Sequence, residues 1–209
     1  MVAVEAPLEL RVGGKSAVIV MRTPGHDEEL ALGLAITEGW LQRGDPLRAE
    51  HVAPDQLAPD ERGHEVELDL PGGAPPPRTL VSSSSCGICG KTSIAGLEVR
   101  ATSISAGLEV DHAVVTGLPD IMRAQQTLFE ATGGVHAAGV FGADGSLFCV
   151  REDVGRHNAV DKVIGWAAQN GHLPLSQRIL CVSGRASFEI MQKAVVAGFP
   201  IVVAVSAPS

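Results

Sequence analysis

Aromatic residues are scarce in this chain, at 3% of the total, and tyrosine is missing altogether. The apolar content comes instead from small and aliphatic side chains. With 45% hydrophobic residues, 24 Gly and 13 Pro among 209 residues, the composition is that of an α/β protein able to bury a core as one large domain or two unequal ones. It excludes a disordered or fibrous chain. Positive charge is also in deficit: 16 Lys and Arg against 24 Asp and Glu leave a formal charge of −8. Sequence-independent nucleic-acid binding needs a basic face, so nucleic acid is not an expected partner. An anionic ligand would need a local pocket of Lys, Arg and backbone N–H groups. No apolar run reaches membrane-spanning length, and the Met1 start carries no apolar signal segment. Four cysteines do not make a disulfide framework in a chain of this size. A reducing cytoplasm is the expected location.

Two of those cysteines are concentrated in one stretch, Ser82-Ser83-Ser84-Ser85-Cys86-Gly87-Ile88-Cys89-Gly90-Lys91. Serine and glycine do not build a core, so this stretch reads as a loop that presents sulfur. A C-x-x-C pair suits dithiol redox, half of a zinc site, or the handling of sulfur as a persulfide. Zinc is disfavoured because Cys149 and Cys181 each stand alone in apolar strand candidates, where a small buried hydrophobe is the ordinary reading. A zinc deaminase would also carry proline where Ser85 stands. A thioredoxin-like motif sits at a strand-to-helix junction, whereas here serines lead in and Gly90 leads out. Lys91 favours a thiolate without specifying redox, and that reading stays open.

Local signals divide the chain into a β-rich N-terminal part over 1–78, with one helix, and an α/β domain over 79–209 that opens with the cysteine loop. Strands are predicted over 2–12 and 16–21 around Gly13-Gly14, a helix from Asp27 or its neighbour as cap to Gly39, and a strand over 65–70. The run 71–77 is the clearest linker. Further on, the patterns predict helices over 92–99 and 118–131, the latter with Pro119 near its start and Thr132-Gly133-Gly134 as its stop. A hairpin over 135–141 and 147–151 turns at Ala143-Asp144-Gly145. Helices over 154–169 and 186–197 then alternate with strands over 178–183 and 200–206. Continuous apolar strands separated by helices imply a largely parallel sheet covered on both faces.

Two polar clusters lie at predicted strand ends: Arg151-Glu152-Asp153-Val154-Gly155-Arg156-His157-Asn158-Ala159-Val160-Asp161-Lys162 and Ser183-Gly184-Arg185-Ala186-Ser187. The bland reading of the first is a charged helix cap with Asp153 at the N-terminus. Together, two basic, glycine-containing turns at the carboxyl ends of strands suggest a phosphate or nucleotide pocket. Gly155, Arg156, Gly184 and Arg185 are the candidates. His136, after Gly133-Gly134, is the histidine expected to face a site, and His157 rides in the first cluster. His26, His51, His64, His112 and His172 read as surface residues.

Four segments together resemble the FdhD family of formate dehydrogenase accessory sulfurtransferases. They are Ser84 to Gly90, Thr132-Gly133-Gly134-Val135-His136-Ala137-Ala138, Glu152 to Lys162, and Ser183-Gly184-Arg185-Ala186-Ser187-Phe188-Glu189-Ile190, in the family's order. The resemblance implies a cytidine-deaminase-like layered α/β fold without its zinc site, a homodimer, and a sulfur carrier. A cysteine desulfurase would pass sulfur to Cys86 as a persulfide, with Cys89 as its less essential companion. The carrier would sulfurate the molybdenum bis-molybdopterin guanine dinucleotide, a bound substrate, for formate dehydrogenase. Gly134, His136, Gly155, Arg156, His157, Gly184 and Arg185 are the candidates to hold that cofactor, with Gly155, Arg156, Gly184 and Arg185 chosen on the strand-end reasoning above more than on the family. A chaperone that binds the cofactor without covalent sulfur transfer is the alternative. Members of the family continue past the strand ending near Ser206 with a helix and strand that contribute to cofactor binding, whereas this sequence stops at Ser209.

Overall fold

The computed structural model describes residues 1–42, 44–53, 56, 63–71, 80–82, 104 and 107–206, with the backbone alone at 80–82. The linker over 72–77, Cys86, Cys89, Lys91 and the helix expected over 92–99 lie outside the described residues.

Gly13 and Gly14, at φ 58° and 72°, supply the left-handed pair that a two-residue hairpin turn requires. They join β1 (Ala6–Val12) to β2 (Lys15–Arg22) in antiparallel register, with Val12 opposite Lys15. α1 (Asp27–Thr37) follows, with three acidic residues in its first turn where the helix dipole favours them. Its cap is His26, in the left-handed region at φ 58° and without a side-chain bond. The neighbouring Asp27 is not a cap. It is buried and accepts from Arg22 Nε and Nη2 at 2.9 and 2.8 Å.

β4 (Glu65–Leu68) falls where the alternation predicts a strand, but β3 (Ala49–His51) and β5 (Leu80–Ser82) lie in segments that carry no strand signal. These strands complete a five-stranded sheet in the order β3-β4-β1-β2-β5. β5 runs parallel to β2, with Ser82 opposite Val20. Along β1, Leu8, Leu10 and Val12 are buried and the alternating Glu9 and Arg11 are not, so one face of this sheet meets the core.

The helix expected over 118–131 is instead two helices, α2 (His112–Arg123) and α3 (Thr127–Thr132). Asp111 caps α2 through a bond from the Ala113 N–H, so the helix starts earlier than Pro119, which lies inside it. Gly133, at φ 66°, ends α3 in the left-handed conformation. The hairpin β6 (His136–Phe141) and β7 (Leu147–Asp153) is followed by α4 (Arg156–Gln169), β8 (Ile179–Arg185), α5 (Phe188–Ala197) and β9 (Ile201–Ser206). Their four-stranded sheet has the order β7-β6-β8-β9. It is mixed rather than largely parallel: β6 is antiparallel to both neighbours, and only β8 and β9 run parallel. A central strand from a hairpin separates the two strands joined through α4.

The second sheet is covered on both faces, as continuous apolar strands imply. Ala138, Val140, Leu180 and Val182 face a core shared with α1, α4, α5 and the first sheet. Their alternates Ala137, Phe141, Ile179 and Cys181 pack with Leu118 and Met122 of α2. α1 and α4 lie so close that a Cβ on Gly33 would sit 1.8 Å from the Asp161 carbonyl oxygen, and one on Gly165 the same distance from that of Glu29. The molecule is an α/β assembly of sheet, helices, sheet and helix, and its N-terminal part is rich in strand.

Candidate functional site

Because β6 runs opposite to β7 and β8, its first residue lies beside their last ones: His136 pairs with Asp153, and Ala138 with Val182. One edge of the sheet thus collects the start of β6 and the ends of β7, β8 and β9. All of the strand-end residues singled out in the sequence fall there. Gly134 is exposed just before β6. Gly155 caps α4 without a side chain to contribute, and Arg156 and His157 open that helix. Gly184 and Arg185 end β8, with Arg185 exposed and in register with Ser206.

Three of these residues meet directly. A Cβ on Gly184 would lie 3.4 Å from Arg156 Cδ and 3.7 Å from His136 Nδ1, so the glycine leaves room for both side chains. His136 is half-buried. Burial first, then the Arg156 guanidinium and the neighbouring His157, push its imidazole below the usual histidine range, which favours the neutral ring with one acceptor nitrogen. His157 is buried, and its Nε2 lies 2.7 Å from Glu189 Oε2 on α5. That approach is poorly directed for a ring N–H, and neither His157 Nε2, Glu189 Oε1 nor Ser187 Oγ has a hydrogen-bond partner among the described residues. Buried polar atoms are normally satisfied, so a group of them at one strand end fits a place where a polar ligand or water completes the bonds. Ser187, at the N-cap of α5, makes no side-chain cap bond, so its hydroxyl does not occupy the first amides of that helix.

The long cluster after β7 divides into two kinds of residue. Arg156 and His157 face the site, whereas its carboxylates and lysine hold the architecture. Glu152 accepts from the Leu128 and Phe129 N–H groups at 2.8 and 2.7 Å and so anchors the start of α3. Asp153 is fully buried and pairs with Lys162 at 2.7 Å. Asp161 is paired with Lys193 at 2.8 Å and accepts from Thr37 Oγ1 at 2.9 Å. The charged-cap reading of Asp153 is therefore corrected: its side chain is an acceptor for buried donors, two residues ahead of the true cap at Gly155. Glu189 and Ser187 are the site residues that strand-end logic did not single out, although both lie in a matching segment.

Cys149 and Cys181 are buried in β7 and β8, and burial pushes both thiols up to about 12. They are small core residues, as their setting in apolar strands suggests. Of the histidines read as surface residues, His26, His51, His112 and His172 are exposed, and His64 is partly buried with Nδ1 3.0 Å from the Pro7 carbonyl oxygen. The H-x-E spacing of zinc deaminases does occur once, at His26-Asp27-Glu28, with Asp27 engaged by Arg22. Among the described residues no three His, Cys, Asp or Glu side chains gather as a metal site. No described helix is long and apolar enough to cross a membrane.

A model of the FdhD/NarQ family matches residues 3–209. The chain is 46% identical to the sulfur carrier protein FdhD of Nocardia farcinica, over 99% of this chain and 76% of that protein. It is 43% identical to the protein of that name from Mycobacterium tuberculosis, over 99% and 79%. With its counterpart from Thermoplasma volcanium it shares 44%, over 100% and 77%. Among solved structures, a candidate formate dehydrogenase accessory protein from Desulfotalea psychrophila superposes with a TM-score of 0.72 at 22% identity, covering 100% of this chain and 76% of that one, and so shares the fold. The chain belongs to the FdhD/NarQ family.

Proposed function

We propose that this protein is a sulfur carrier, a sulfurtransferase that holds sulfur as a persulfide on Cys86 and delivers it to the molybdenum bis-molybdopterin guanine dinucleotide needed by formate dehydrogenase. The relatives just described bear the name sulfur carrier protein. The observation that carries the reading in this chain is the state of its other cysteines. A persulfide acceptor must be reachable and partly ionised, because the thiolate is the nucleophile. Cys149 and Cys181 are at most 5% exposed, with thiols pushed up to about 12, so the C-x-x-C pair is left to accept sulfur.

In the loading step the Cys86 thiolate attacks the outer sulfur of a desulfurase persulfide. The sulfur–sulfur bond of the donor breaks, its electron pair leaves on the desulfurase thiolate, and the outer sulfur stays on Cys86 with the proton it carried, as a persulfide. The acceptor cofactor is large and anionic, and the net charge of −8 repels it. Arg156 and Arg185, the N-terminal end of α5 and the unsatisfied Ser187 Oγ form a local exception suited to such a ligand, with His157 held beside them by Glu189. Gly134, Gly155 and Gly184 keep backbone accessible beside them. The partners in this reading are a cysteine desulfurase, formate dehydrogenase and a second copy of the chain, and the setting is the cytoplasm.

Intact mass after incubation with a cysteine desulfurase and cysteine tests this directly. Wild type is expected to gain the mass of one sulfur atom, removable by dithiothreitol and absent in Cys86→Ala. A gain that persists in that variant moves the role to Cys89 or another thiol. No gain in wild type, with the desulfurase shown to be active, overturns the carrier role. The strand-end pocket would stand without the cysteines, and it favours a cofactor-binding chaperone as the second reading. Full maturation of formate dehydrogenase by Cys86→Ala would select it.

A further inference from the structure

The turn that presents Arg156 and His157 continues β7 of its own sheet and is fastened to the other sheet as well. Asp153, at the end of β7, is 0% exposed, and both of its carboxylate oxygens are committed. Oδ1 accepts from the Gly155 N–H at 2.8 Å and from Asn158 Nδ2 at 2.9 Å, inside the turn. Oδ2 accepts from the Thr23 N–H at 3.1 Å and lies 2.7 Å from Lys162 Nζ. Thr23 answers in kind, its Oγ1 accepting from the Val154 N–H at 3.0 Å and its carbonyl from Lys162 Nζ at 2.9 Å. Asn158 Nδ2 adds a bond to the Met21 carbonyl at 2.8 Å. Met21 to Thr23 is where β2 ends, and β2 is the parallel neighbour of β5, whose last residue, Ser82, is the first of the cysteine stretch.

We propose that Asp153 is a positioning residue that sets the Arg156–His157 turn relative to the strand ends from which the cysteine stretch departs. This rests on the sulfur-carrier reading above. A buried ion pair is weak evidence of stabilisation, since well-packed apolar replacements often do as well. What apolar residues could not supply is the directional bonding of a turn on one sheet to a strand end on another. Transfer between a carried sulfur and a bound acceptor depends on that spacing. Loading by a separate desulfurase does not, because the donor approaches from outside.

Asp153→Asn separates the two functions of the carboxylate. An amide oxygen at Oδ1 still accepts from Gly155 and Asn158, while the NH2 group then faces the donors Thr23 N–H and Lys162. Lys162→Met in the same chain removes the ammonium that would otherwise be buried unpaired. Thr23→Val is a milder variant that removes only the Oγ1 acceptor of the Val154 N–H and leaves the bonds of Asp153 in place. Val163→Ala, in the buried face of α4, serves as a control of matched melting temperature. Each protein is loaded with desulfurase and cysteine, weighed, and assayed for restoration of formate dehydrogenase activity in cells that lack their own carrier.

Asp153→Asn/Lys162→Met and Thr23→Val are expected to take up sulfur as wild type does. Delivery by Asp153→Asn/Lys162→Met should fall by about ten- to a hundredfold, the scale of loss from misplacing reacting groups by an ångström, and delivery by Thr23→Val should fall less. The control should deliver nearly normally at the same melting temperature. Delivery that follows melting temperature alike in the variants and the control would reduce Asp153 to a structural staple and overturn the proposal. Delivery by the folded Asp153→Asn/Lys162→Met protein that matches wild type would overturn it too. If wild type itself takes up no sulfur, the carrier reading fails and this inference falls with it.

Discussion

His136 lies where burial and two neighbouring basic groups act in the same direction. Burial disfavours the imidazolium, and Arg156 and His157 add repulsion against the partial offset of Asp153. Its folded-state pKa is therefore lower than its unfolded one. In the interval between those values the unfolded chain binds more protons than the folded one, so stability falls as pH drops below about 6.5 and levels off beneath the folded value. Unfolding by urea between pH 7 and pH 5 should show this loss in wild type and a smaller one in His136→Gln. Imidazole resonances should place the His136 midpoint below the ordinary histidine range, and Arg156→Gln should raise it. A midpoint at or above that range would remove His136 as a neutral proton acceptor in the site.

At the level of elements, glycine marks the closest helix contact in the molecule. In an exposed helix interior, replacing Gly by Ala ordinarily stabilises, because Gly costs backbone entropy. Gly117 of α2 has nothing within 4 Å of a built Cβ, so Gly117→Ala is expected to gain up to about 1 kcal/mol. Gly33 and Gly165 reverse the sign, because their Cβ positions are 1.8 Å from backbone oxygens that cannot move without separating α1 from α4. Gly33→Ala should cost about 1–3 kcal/mol or more, as overpacked cores do. Denaturant melts of Gly117→Ala and Gly33→Ala beside wild type check both directions at once. Pro119 belongs to the same scale. It reads as the start of a helix because proline suits a first turn, yet the cap is Asp111, further upstream, and α2 simply begins sooner.

Across the whole molecule, buried charges hold the helix layer together. Asp161 of α4 is 1% exposed, and Lys193 of α5 and Thr37 of α1 converge on it. Burial pushes its carboxyl up, and those two partners oppose the shift. Lys193→Met leaves that carboxylate without its counter-ion and should cost about 3–5 kcal/mol of stability. Adding Asp161→Asn should recover most of the loss, and urea unfolding of the single and double variants measures it. Equal stability of Lys193→Met and wild type would mean that solvent, not Lys193, balances Asp161.

Much of this organisation is legible locally. Gly13-Gly14, Gly39 and Gly133 mark turns and helix ends because a left-handed backbone leaves few alternatives. Loose alternation marks β1, and the Ala143-Asp144-Gly145 turn marks the hairpin of β6 and β7. Strand-end logic groups Gly155, Arg156, Gly184 and Arg185, and the fold sets them along one edge with Gly134, His136 and His157. These are properties of neighbours in the chain, and the sequence by itself determined them. Tertiary structure alone decided that β6 would separate β7 from β8, that the short β5 would pair parallel with β2, and which residues of the long polar cluster face a ligand. Asp153 and Thr23 are 130 positions apart, and Lys193 and Thr37 are 156. A buried charge finds its partner through the packing of distant elements, and nothing in the residues around it records which partner that will be.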